Sequence, residues 1–470
     1  MAAACLGCAG AGQSTDEARL AVLVPASERP FWAPIARSFE AMKPKVRVDL
    51  VEGPNATDLR ENLYTVALLA RDESFDLVYM DVTWTPKFAA AGWLVALDSA
   101  FPRDELDELI PAAVDAGRYA GRLFRVPVRT DLGLLYYRKD WLAQAGFDPP
   151  RTFEDLARIA RALQAPPERW GFVWQGSQYE GLVCVFLEIL RGHGGFWVDP
   201  QTLAVGLDQP PARAALEFLS RARGQEVRRS TDPQATGRAR AEFTSASARG
   251  VQGGATQRPP AQDAPFSPRG VTTYKEEESR RLFQEGRAVF LRNWFYVWRL
   301  AQGSESPIAG KVGVRPMVGL DGSEGAGTLG GWGLGVSRFS RHRDLACEFI
   351  RHAISLESQR TLCARTGYAP ARREAYRDDE LLAANPLLSE LQGMLQTAVS
   401  RPAIPRYALA SDILQRQLSA SLAGLVGTED ALRAAARETR LLLGQAPAAT
   451  SRSGLPEFFE RGAREARSEP

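Results

Sequence analysis

The sequence predicts an α/β fold, and three observations support this prediction. The chain has 470 residues, of which 45% are hydrophobic and 24% are charged, a composition typical of globular proteins. At roughly 150 residues per domain, this length is enough for two or three domains. From residue 19 onward, short apolar runs alternate with segments of helical periodicity. No run of about 18 apolar residues occurs in the sequence, so no transmembrane helix is predicted.

The first part of the chain follows a strand-helix-strand-helix-strand order. Residues 19–24 are an apolar run of strand length, and a helix follows with Pro30 near its first position. Alternating apolar residues predict a strand over 46–50, then a second helix over 57–71 and a third strand over 75–80. This order predicts a parallel sheet with right-handed crossovers. Ligands of such sheets bind beyond the carboxyl ends of the strands.

A second α/β set follows further along the chain. Residues 131–137 resemble a strand, the next helix ends at Gly146, and Thr152 is predicted to cap another helix. Further helices are predicted at 180–190 and 211–222, and from capped starts at Ser411 and Thr428.

Three segments depart from this pattern. Residues 224–265 contain almost no large apolar side chains, which predicts a disordered surface insertion. Residues 447–470 are rich in Ala, Arg and Glu and are predicted to be loosely ordered. At the N-terminus, Cys5 and Cys8 follow small residues and precede a polar segment, as at the end of a bacterial lipoprotein signal. They are lipidation candidates if the true start lies upstream, and the alternative is an ordinary disordered N-terminus.

Composition and motifs exclude several functional classes. The chain has 58 Lys and Arg against 56 Asp and Glu, a net charge of +2, and no basic run that indicates nucleic-acid binding. With 3 histidines, a His-based metal site or a catalytic triad is not expected. Motifs for dinucleotides, phosphate loops, zinc proteases and serine hydrolases are missing from the sequence. No cofactor or metal is therefore predicted.

Seven motifs in order resemble one family: the sugar-binding lipoproteins of ABC importers, specifically the trehalose/maltose-binding branch of the family-1 extracellular solute-binding proteins. The resemblance covers about residues 19–440 without the insertion. The motifs are FDLVYMDVTW (75–84), FAAAGWL (88–94), DLGLLYYRKD (131–140), WGFVWQ (170–175), QYEGLVC (178–184), RNW (292–294) and LGGW (329–332).

The resemblance implies a two-lobed periplasmic-binding-protein-like fold of class II, a Venus flytrap that binds an α-linked disaccharide such as trehalose or maltose between its lobes. By analogy, the implied segments are 17–128 and 329–369 for the first lobe, 129–328 and 370–446 for the second, and 126–131 and 328–331 for the hinge crossings. The implied protein is an extracytoplasmic, lipid-anchored monomer that delivers sugar to an ABC permease and is not an enzyme. A sugar sensor's receiving component and a glycosidase with paired carboxylates are the alternatives.

Carboxylates are the predicted partners of sugar hydroxyls, because hydrogen bonds to charged groups are worth about 1.5 to 3 kcal/mol. Asp81 follows a predicted strand and Asp131 follows the predicted hinge, so both are candidates. Their alternative role is a cap or a salt bridge. The resemblance adds Glu28 and Arg60, for which a solvated charge at a helix end is the alternative.

Aromatic rings are the predicted partners of the apolar sugar face, each worth about 1 kcal/mol at about 25 cal/mol per Å². Trp294 and Tyr296 follow the strand-like residues 288–291, and Trp332 follows Gly331 in a predicted Gly-rich turn. The resemblance favours Trp294 and Trp332 as platforms. It also implies that Arg401 closes over the ligand from the second lobe. Arg129 stands where this branch tends to have an aromatic residue. An anionic or differently linked glycoside is therefore an alternative ligand.

Overall fold

The computed structural model describes residues 17–224, 264–322 and 325–445. The lipidation candidates Cys5 and Cys8, nearly all of the predicted insertion and the predicted loose tail lie outside the described residues. The amide of Phe266 donates to the carbonyl of Ala222 at 2.9 Å. The chain therefore returns after residue 263 close to the place where it left after Gly224.

The strands of the described residues alternate with helices in the first half of the chain, as predicted. They are β1 (Ala18–Pro25), β2 (Val46–Gly53), β3 (Leu77–Asp81), β4 (Arg118–Tyr119), β5 (Arg122–Leu123), β6 (Val126–Arg138), β7 (Trp170–Val173), β8 (Ala288–Trp294), β9 (Val312–Arg315), β10 (Leu329–Val336) and β11 (Ala369–Pro370).

The helices dominate the last third of the described chain, which confirms the prediction for that region. They are α1 (Arg29–Met42), α2 (Thr57–Leu69), α3 (Thr85–Ala90), α4 (Arg103–Asp107), α5 (Pro111–Asp115), α6 (Lys139–Gln144), α7 (Phe153–Leu163), α8 (Glu180–Gly192), α9 (Pro210–Arg223), α10 (Glu276–Gln284), α11 (Val297–Gln302), α12 (Arg343–Ala353), α13 (Leu356–Thr366), α14 (Asp379–Ala384), α15 (Leu388–Met394), α16 (Tyr407–Leu422) and α17 (Thr428–Leu442). None of them combines the length and apolarity needed to cross a bilayer.

One long strand connects two parts of the sheet. β1 pairs in parallel with β2 and β3, which confirms the predicted order, and β10 lies antiparallel between β3 and β6. The first part of β6 pairs with β10, whereas its second part, from Gly133 to Arg138, pairs with β8 and β9. The main order is β2-β1-β3-β10-β6-β8-β7, and β9 and β11 each pair with β6 off this path.

Three local predictions are wrong. Ser411 does not begin a helix but lies inside α16, where its hydroxyl donates to Glu180. Thr428 is the first residue of α17, and the capping position is Gly427, which has no side chain to offer. Trp332 does not lie in a turn, because the Gly-rich run is a strand that pairs with β3 and β6 on its two sides. Thr152 caps α7 as predicted, accepting the amide of Asp155 at 3.0 Å.

Apolar side chains form three buried clusters. The first draws on β1, α1, β3 and β10, and the second draws on α8, α9, α16 and α17. The third contains Leu132 and Leu329 near the crossing of β6, together with α11 and α15. We keep the predicted lobe boundaries as a proposal and refer below to the first and second clusters.

A buried ion pair fixes α8 against the sheet. Glu188 on α8 and Arg292 on β8 have fully buried side chains, and Arg292 Nε donates to Glu188 Oε2 at 2.8 Å. Glu188 Oε1 also accepts the amide of Thr328 at 3.0 Å, and Arg292 Nη1 donates to Gln175 Oε1 at 3.1 Å. Removing one partner of such a pair leaves an uncompensated charge in a low-dielectric interior.

We expect Glu188→Ala to lower the free energy of unfolding by about 3 to 5 kcal/mol, because Arg292 then loses its counter-ion. Urea unfolding followed by circular dichroism measures this change. The matched control is Asp412→Ala, which removes an exposed pair with Arg416 at 2.9 Å and should change the free energy of unfolding by less than about 0.5 kcal/mol. Equal losses in the two variants contradict this role of the buried pair.

Candidate functional site

Three neighbouring strands bring predicted site residues into one row. Asp81 ends β3 and pairs with Trp332 in β10, and Trp332 pairs in turn with Arg129 in β6. Asp131 lies two residues beyond Arg129, so these two side chains leave the same face of the strand. The register therefore assembles residues that lie far apart in the sequence.

Arg401 connects the first cluster to the second through two ion pairs. Its Nη2 donates to Asp81 Oδ1 at 3.2 Å, and its Nη1 donates to Glu180 Oε1 at 2.9 Å. Asp81 ends a strand of the first cluster, whereas Glu180 begins α8 of the second. Tyr407 and Ser411 each donate to a Glu180 oxygen at 2.5 Å. The Arg401 side chain is 6% exposed, so solvent screens these pairs only weakly.

Both predicted carboxylates also hold local backbone, so the alternative capping role applies to each. Asp81 Oδ1 accepts the amide and the hydroxyl of Thr83, at 3.0 and 2.9 Å. Asp131 Oδ1 accepts the amides of Leu132 and Phe295, at 2.9 and 3.1 Å. In the described part of the chain, no hydrogen bond reaches Oδ2 of either residue. Each carboxylate thus retains one oxygen for a further donor.

Asp131 and Trp294 lie side by side. A Cβ atom placed on Gly330 would be 3.0 Å from Asp131 Cβ and 3.1 Å from Trp294 Cζ3. Burial raises the pKa of Asp131 to about 6, and the nearby Arg129 and Arg292 only partly oppose this shift. The Asp131 side chain nevertheless remains partly exposed. A carboxylate and an aromatic ring are therefore presented together at the crossing of β6.

Two acidic residues of α10 orient the aromatic residues that follow β8. Trp294 Nε1 donates to Glu276 Oε1 at 3.4 Å, and the Tyr296 hydroxyl donates to Glu277 Oε1 at 3.0 Å. The Arg292 guanidinium lies 4.4 Å from the Trp294 ring centroid. Both aromatic side chains are half-buried. Their polar atoms are thus held while part of each ring remains open.

Glu28 and Arg129 form a closed network with two tyrosines. Arg129 donates from Nη2 to Glu28 Oε1 and from Nε to the Tyr79 hydroxyl, both at 3.0 Å. The Tyr79 hydroxyl donates to Glu28 Oε2 at 3.0 Å, and the Tyr368 hydroxyl donates to Glu28 Oε1 at 3.3 Å. The Arg129 guanidinium lies 3.7 Å from the Tyr368 ring centroid. Both Glu28 oxygens are therefore occupied by protein donors.

Trp332 is enclosed by other side chains and is 8% exposed. Arg60 lies 4.6 Å from its ring centroid, and the rings of Tyr79 and Trp84 lie 5.0 and 5.4 Å away. Arg60 is itself buried, and its Nη1 donates to the carbonyls of Pro54 and Asn55, each at 2.7 Å. These two predicted contacts therefore form a wall of the site, with little open surface.

Gly331 has a backbone role. Its φ is +127°, a conformation that L side chains rarely adopt, and a Cβ would lie 2.6 Å from the Arg129 carbonyl oxygen. Its carbonyl accepts the amide of Val82 at 3.2 Å. The glycine thus lets β10 approach β6 closely beside Arg129.

Several residues of the site were not singled out from the sequence. Tyr79 precedes Asp81 by two positions in the same strand, so alternation would have placed both side chains on one face. Glu180 lies inside a quoted motif, at the first position of α8. No sequence signal marks Tyr368, because only the chain crossing near β11 brings it to Glu28.

The described cysteines and acidic residues give no sign of a reactive thiol or a metal site. Cys184, Cys347 and Cys363 are buried thiols, and burial raises the pKa of each of them, which makes them poor nucleophiles. No cluster of metal-ligating side chains occurs within the described ranges. The arrangement provides acceptors, guanidinium donors and aromatic rings, which suit reversible binding of a hydroxyl-rich molecule.

A surface cavity of about 480 Å³ lies elsewhere and contains none of the predicted site residues. Phe101, Leu106 and Val114 supply apolar lining, and charged residues that include Asp107 and Arg118 line the rest. We therefore choose the candidate site by the chemistry of the residues aligned along β3, β10 and β6. Cavity volume is not the criterion.

Known proteins resemble this chain in sequence and in fold. A family model described as bacterial extracellular solute-binding protein matches residues 25–239. A Deinococcus radiodurans protein named probable ABC transporter-binding protein is 32% identical over 362 residues, which cover 76% of this chain and 76% of that protein. A mannitol-binding protein of Pseudomonas aeruginosa is 24% identical and covers 81% of this chain and 83% of its own length.

Among solved structures, maltose-bound MalE3 of T. maritima is 34% identical and superimposes with a TM-score of 0.76, covering 90% of this chain and 100% of that one. This likeness confirms the predicted α/β, two-lobed periplasmic-binding-protein fold. The matched family and these relatives are substrate-binding proteins. This chain belongs to the family of bacterial extracellular solute-binding proteins.

Proposed function

We propose that this protein binds an α-linked disaccharide of the maltose or trehalose type between its lobes and delivers it to the membrane subunits of an ABC importer. The likeness to a maltose-bound structure at 34% identity supports this sugar class. The name of the Deinococcus relative supports the importer. A lipid anchor on Cys5 or Cys8 and a monomeric state stay predictions.

The observation that carries the proposal is the pairing of Asp131 with Trp294. A sugar ring has hydroxyl edges and an apolar face, and it needs a partner for each. Asp131 Oδ2 receives no donor from the described part of the chain, while the neighbouring Trp294 ring is half-buried and fixed through Glu276. Tyr296, two residues after Trp294, and Arg401, which bonds to Asp81, extend the proposed contact set.

Lobe closure is the proposed mechanism. Asp81 contributes from the first cluster and Arg401 from a segment whose Ile404 and Tyr407 belong to the second. A ligand that contacts both sides binds the closed arrangement more tightly and shifts the population toward it by that difference in affinity. The Asp81–Arg401 pair already holds the two sides together, so closure is favoured by charge as well as by ligand.

The first experiment is thermal denaturation against a panel of sugars: maltose, trehalose, sucrose, glucosylglycerol, mannitol and a glucuronide. A ligand at 1,000 times its dissociation constant stabilises the folded state by about 4 kcal/mol, which shifts the melting temperature by several degrees. A shift with an α-linked disaccharide and no product released supports the proposal. A shift with mannitol or the glucuronide alone contradicts the disaccharide, and hydrolysis of any member indicates a glycosidase.

We expect Trp294→Ala to weaken disaccharide binding about fivefold, because the aromatic platform is worth about 1 kcal/mol. Isothermal titration calorimetry measures the affinity. Trp141→Ala is the matched control, since Trp141 is also half-buried and carries an arginine, Arg138, at 3.7 Å from its ring centroid. An unchanged affinity in the Trp294 variant, or the same loss in the control, contradicts the assignment.

Sugar affinity should fall as the pH is lowered through about 6. Hydroxyl donors favour the ionised form of Asp131, whose pKa burial raises to about 6, so the sugar lowers that pKa and binds more weakly once the carboxyl is protonated. About a tenfold weaker affinity at pH 5 than at pH 7 is expected in calorimetry.

The same raised pKa makes the ligand-free protein lose stability as the pH rises from about 4 to about 6.

The control for the pH dependence is Asp131→Asn, which removes this carboxyl and retains the other groups that titrate nearby. Glu61 is one of them, since burial raises its pKa also, against the opposing effect of Lys87. The variant should bind more weakly at pH 7 and show a flat profile between pH 5 and pH 7. A profile as steep as that of the unmodified protein assigns the pH dependence to Glu61 or another group instead.

Asp81→Ala should open the ligand-free protein and weaken sugar binding at least tenfold. The change removes the ion pair with Arg401 and a proposed sugar contact together. Small-angle X-ray scattering should show a larger radius of gyration without sugar. Asp208→Ala is the control, because it breaks an ion pair with Arg440 at 2.8 Å beside the second cluster alone; an equal expansion there contradicts the bridging role.

A further inference from the structure

The surroundings of Arg129 have the chemistry of a sugar subsite. A carboxylate, Glu28, binds one edge of its guanidinium, the Tyr79 hydroxyl accepts from Nε, and the Tyr368 ring stacks against the plane at 3.7 Å. Trp332 closes a further side at 5.6 Å. Acceptors around the edge and aromatic rings on the faces are the groups that a pyranose ring requires.

These groups have little capacity left for a ligand while Arg129 is in place. Glu28 receives two donors on Oε1 and one on Oε2, and the Tyr79 hydroxyl both accepts from Arg129 and donates to Glu28. The side chains of Arg129 and Glu28 are only 7% and 10% exposed. The network is therefore largely enclosed within the protein.

We infer that the Arg129 side chain is a built-in occupant of a second sugar subsite, which it fills in place of a ligand ring. Its guanidinium and stem are comparable in size to a pyranose ring and occupy the space between Glu28, Tyr79 and Tyr368. Asp131 projects from the same face of β6 only two residues further on, so the filled subsite adjoins the proposed sugar contacts of Asp131 and Trp294.

The consequence concerns ligand length, and it rests on the proposed function. With one end of the site closed by a side chain, the site accepts a disaccharide and excludes a longer oligosaccharide that would extend toward Glu28. Shortening Arg129 should release Glu28, Tyr79 and the Tyr368 ring for one additional sugar ring. Arg129 is thereby assigned as a determinant of ligand length.

The test compares the affinities of maltose and maltotriose for the full chain and for Arg129→Ala, by calorimetry. The unmodified protein should prefer maltose, and Arg129→Ala should shift the ratio of the two affinities at least tenfold toward maltotriose. Arg129→Met fills most of the same volume without charge and should keep the original preference. A ratio that does not change in Arg129→Ala, or one that changes equally in Arg129→Met, overturns the inference.

Removing Arg129 leaves Glu28 without its cation, so folding is checked by thermal denaturation. If Arg129→Ala does not fold, the double variant Glu28→Gln/Arg129→Ala removes that charge and serves for the same comparison. Arg138→Ala, which loses an arginine stacked at 3.7 Å on Trp141, is the matched control and should leave the ratio unchanged.

The outcomes separate the two claims. Binding of maltose by the unmodified protein with an unchanged ratio in Arg129→Ala contradicts the occupied subsite alone. Failure of the unmodified protein to bind either sugar contradicts the proposed disaccharide, while maltotriose binding by Arg129→Ala in that case still supports the occupied subsite. If neither protein binds either sugar, both claims are wrong.

Discussion

The site depends on one backbone constraint: a single strand is hydrogen-bonded into both parts of the sheet. The first residues of β6 pair with β10 and its later residues pair with β8 and β9. A strand that is hydrogen-bonded to neighbours in both parts of the sheet cannot shift its register without losing hydrogen bonds in both parts. Arg129 and Asp131 precede the switch of partners at Gly133, which fixes their position relative to Trp332 on one neighbour and Trp294 on the other.

The two arginines of the candidate site, Arg129 and Arg401, are each paired with nearby acidic residues, and the two pairings differ. Arg129 donates to Glu28 and Tyr79, whereas Arg401 divides its donors between Asp81 and Glu180. A buried ion is costly unless it is paired, so neither arrangement leaves an isolated charge. The Arg401 pairs connect two clusters, whereas Arg129 lies in the predicted hinge crossing 126–131 and bonds to Glu28 and Tyr79 of the predicted first lobe. In the proposed mechanism, ligand-linked closure acts on the Arg401 pairs.

Local structure was predictable because it depends on near neighbours in the sequence. The alternation of strand and helix over residues 18–81 follows from apolar periodicity, and the cap at Thr152 follows from capping chemistry. The wrong predictions occur where a residue far away in the sequence determines the local structure. The glycines around Trp332 favour a turn by local propensity, but β3 and β6 pair with that segment on its two sides. Ser411 has the residue type of a helix cap, but its hydroxyl donates to Glu180 instead.

The sequence by itself determined the α/β class, the parallel start of the sheet and, through its motifs, the family. Those properties reside in periodicity, composition and short patterns. Only the tertiary structure decided how each candidate side chain is used. Burial and hydrogen bonding depend on residues hundreds of positions apart, such as Glu28 and Tyr368, and they separate Trp332, which is enclosed, from Trp294, which keeps an open face. Exposure and partnership are properties of packing, and no local pattern in the sequence encodes them.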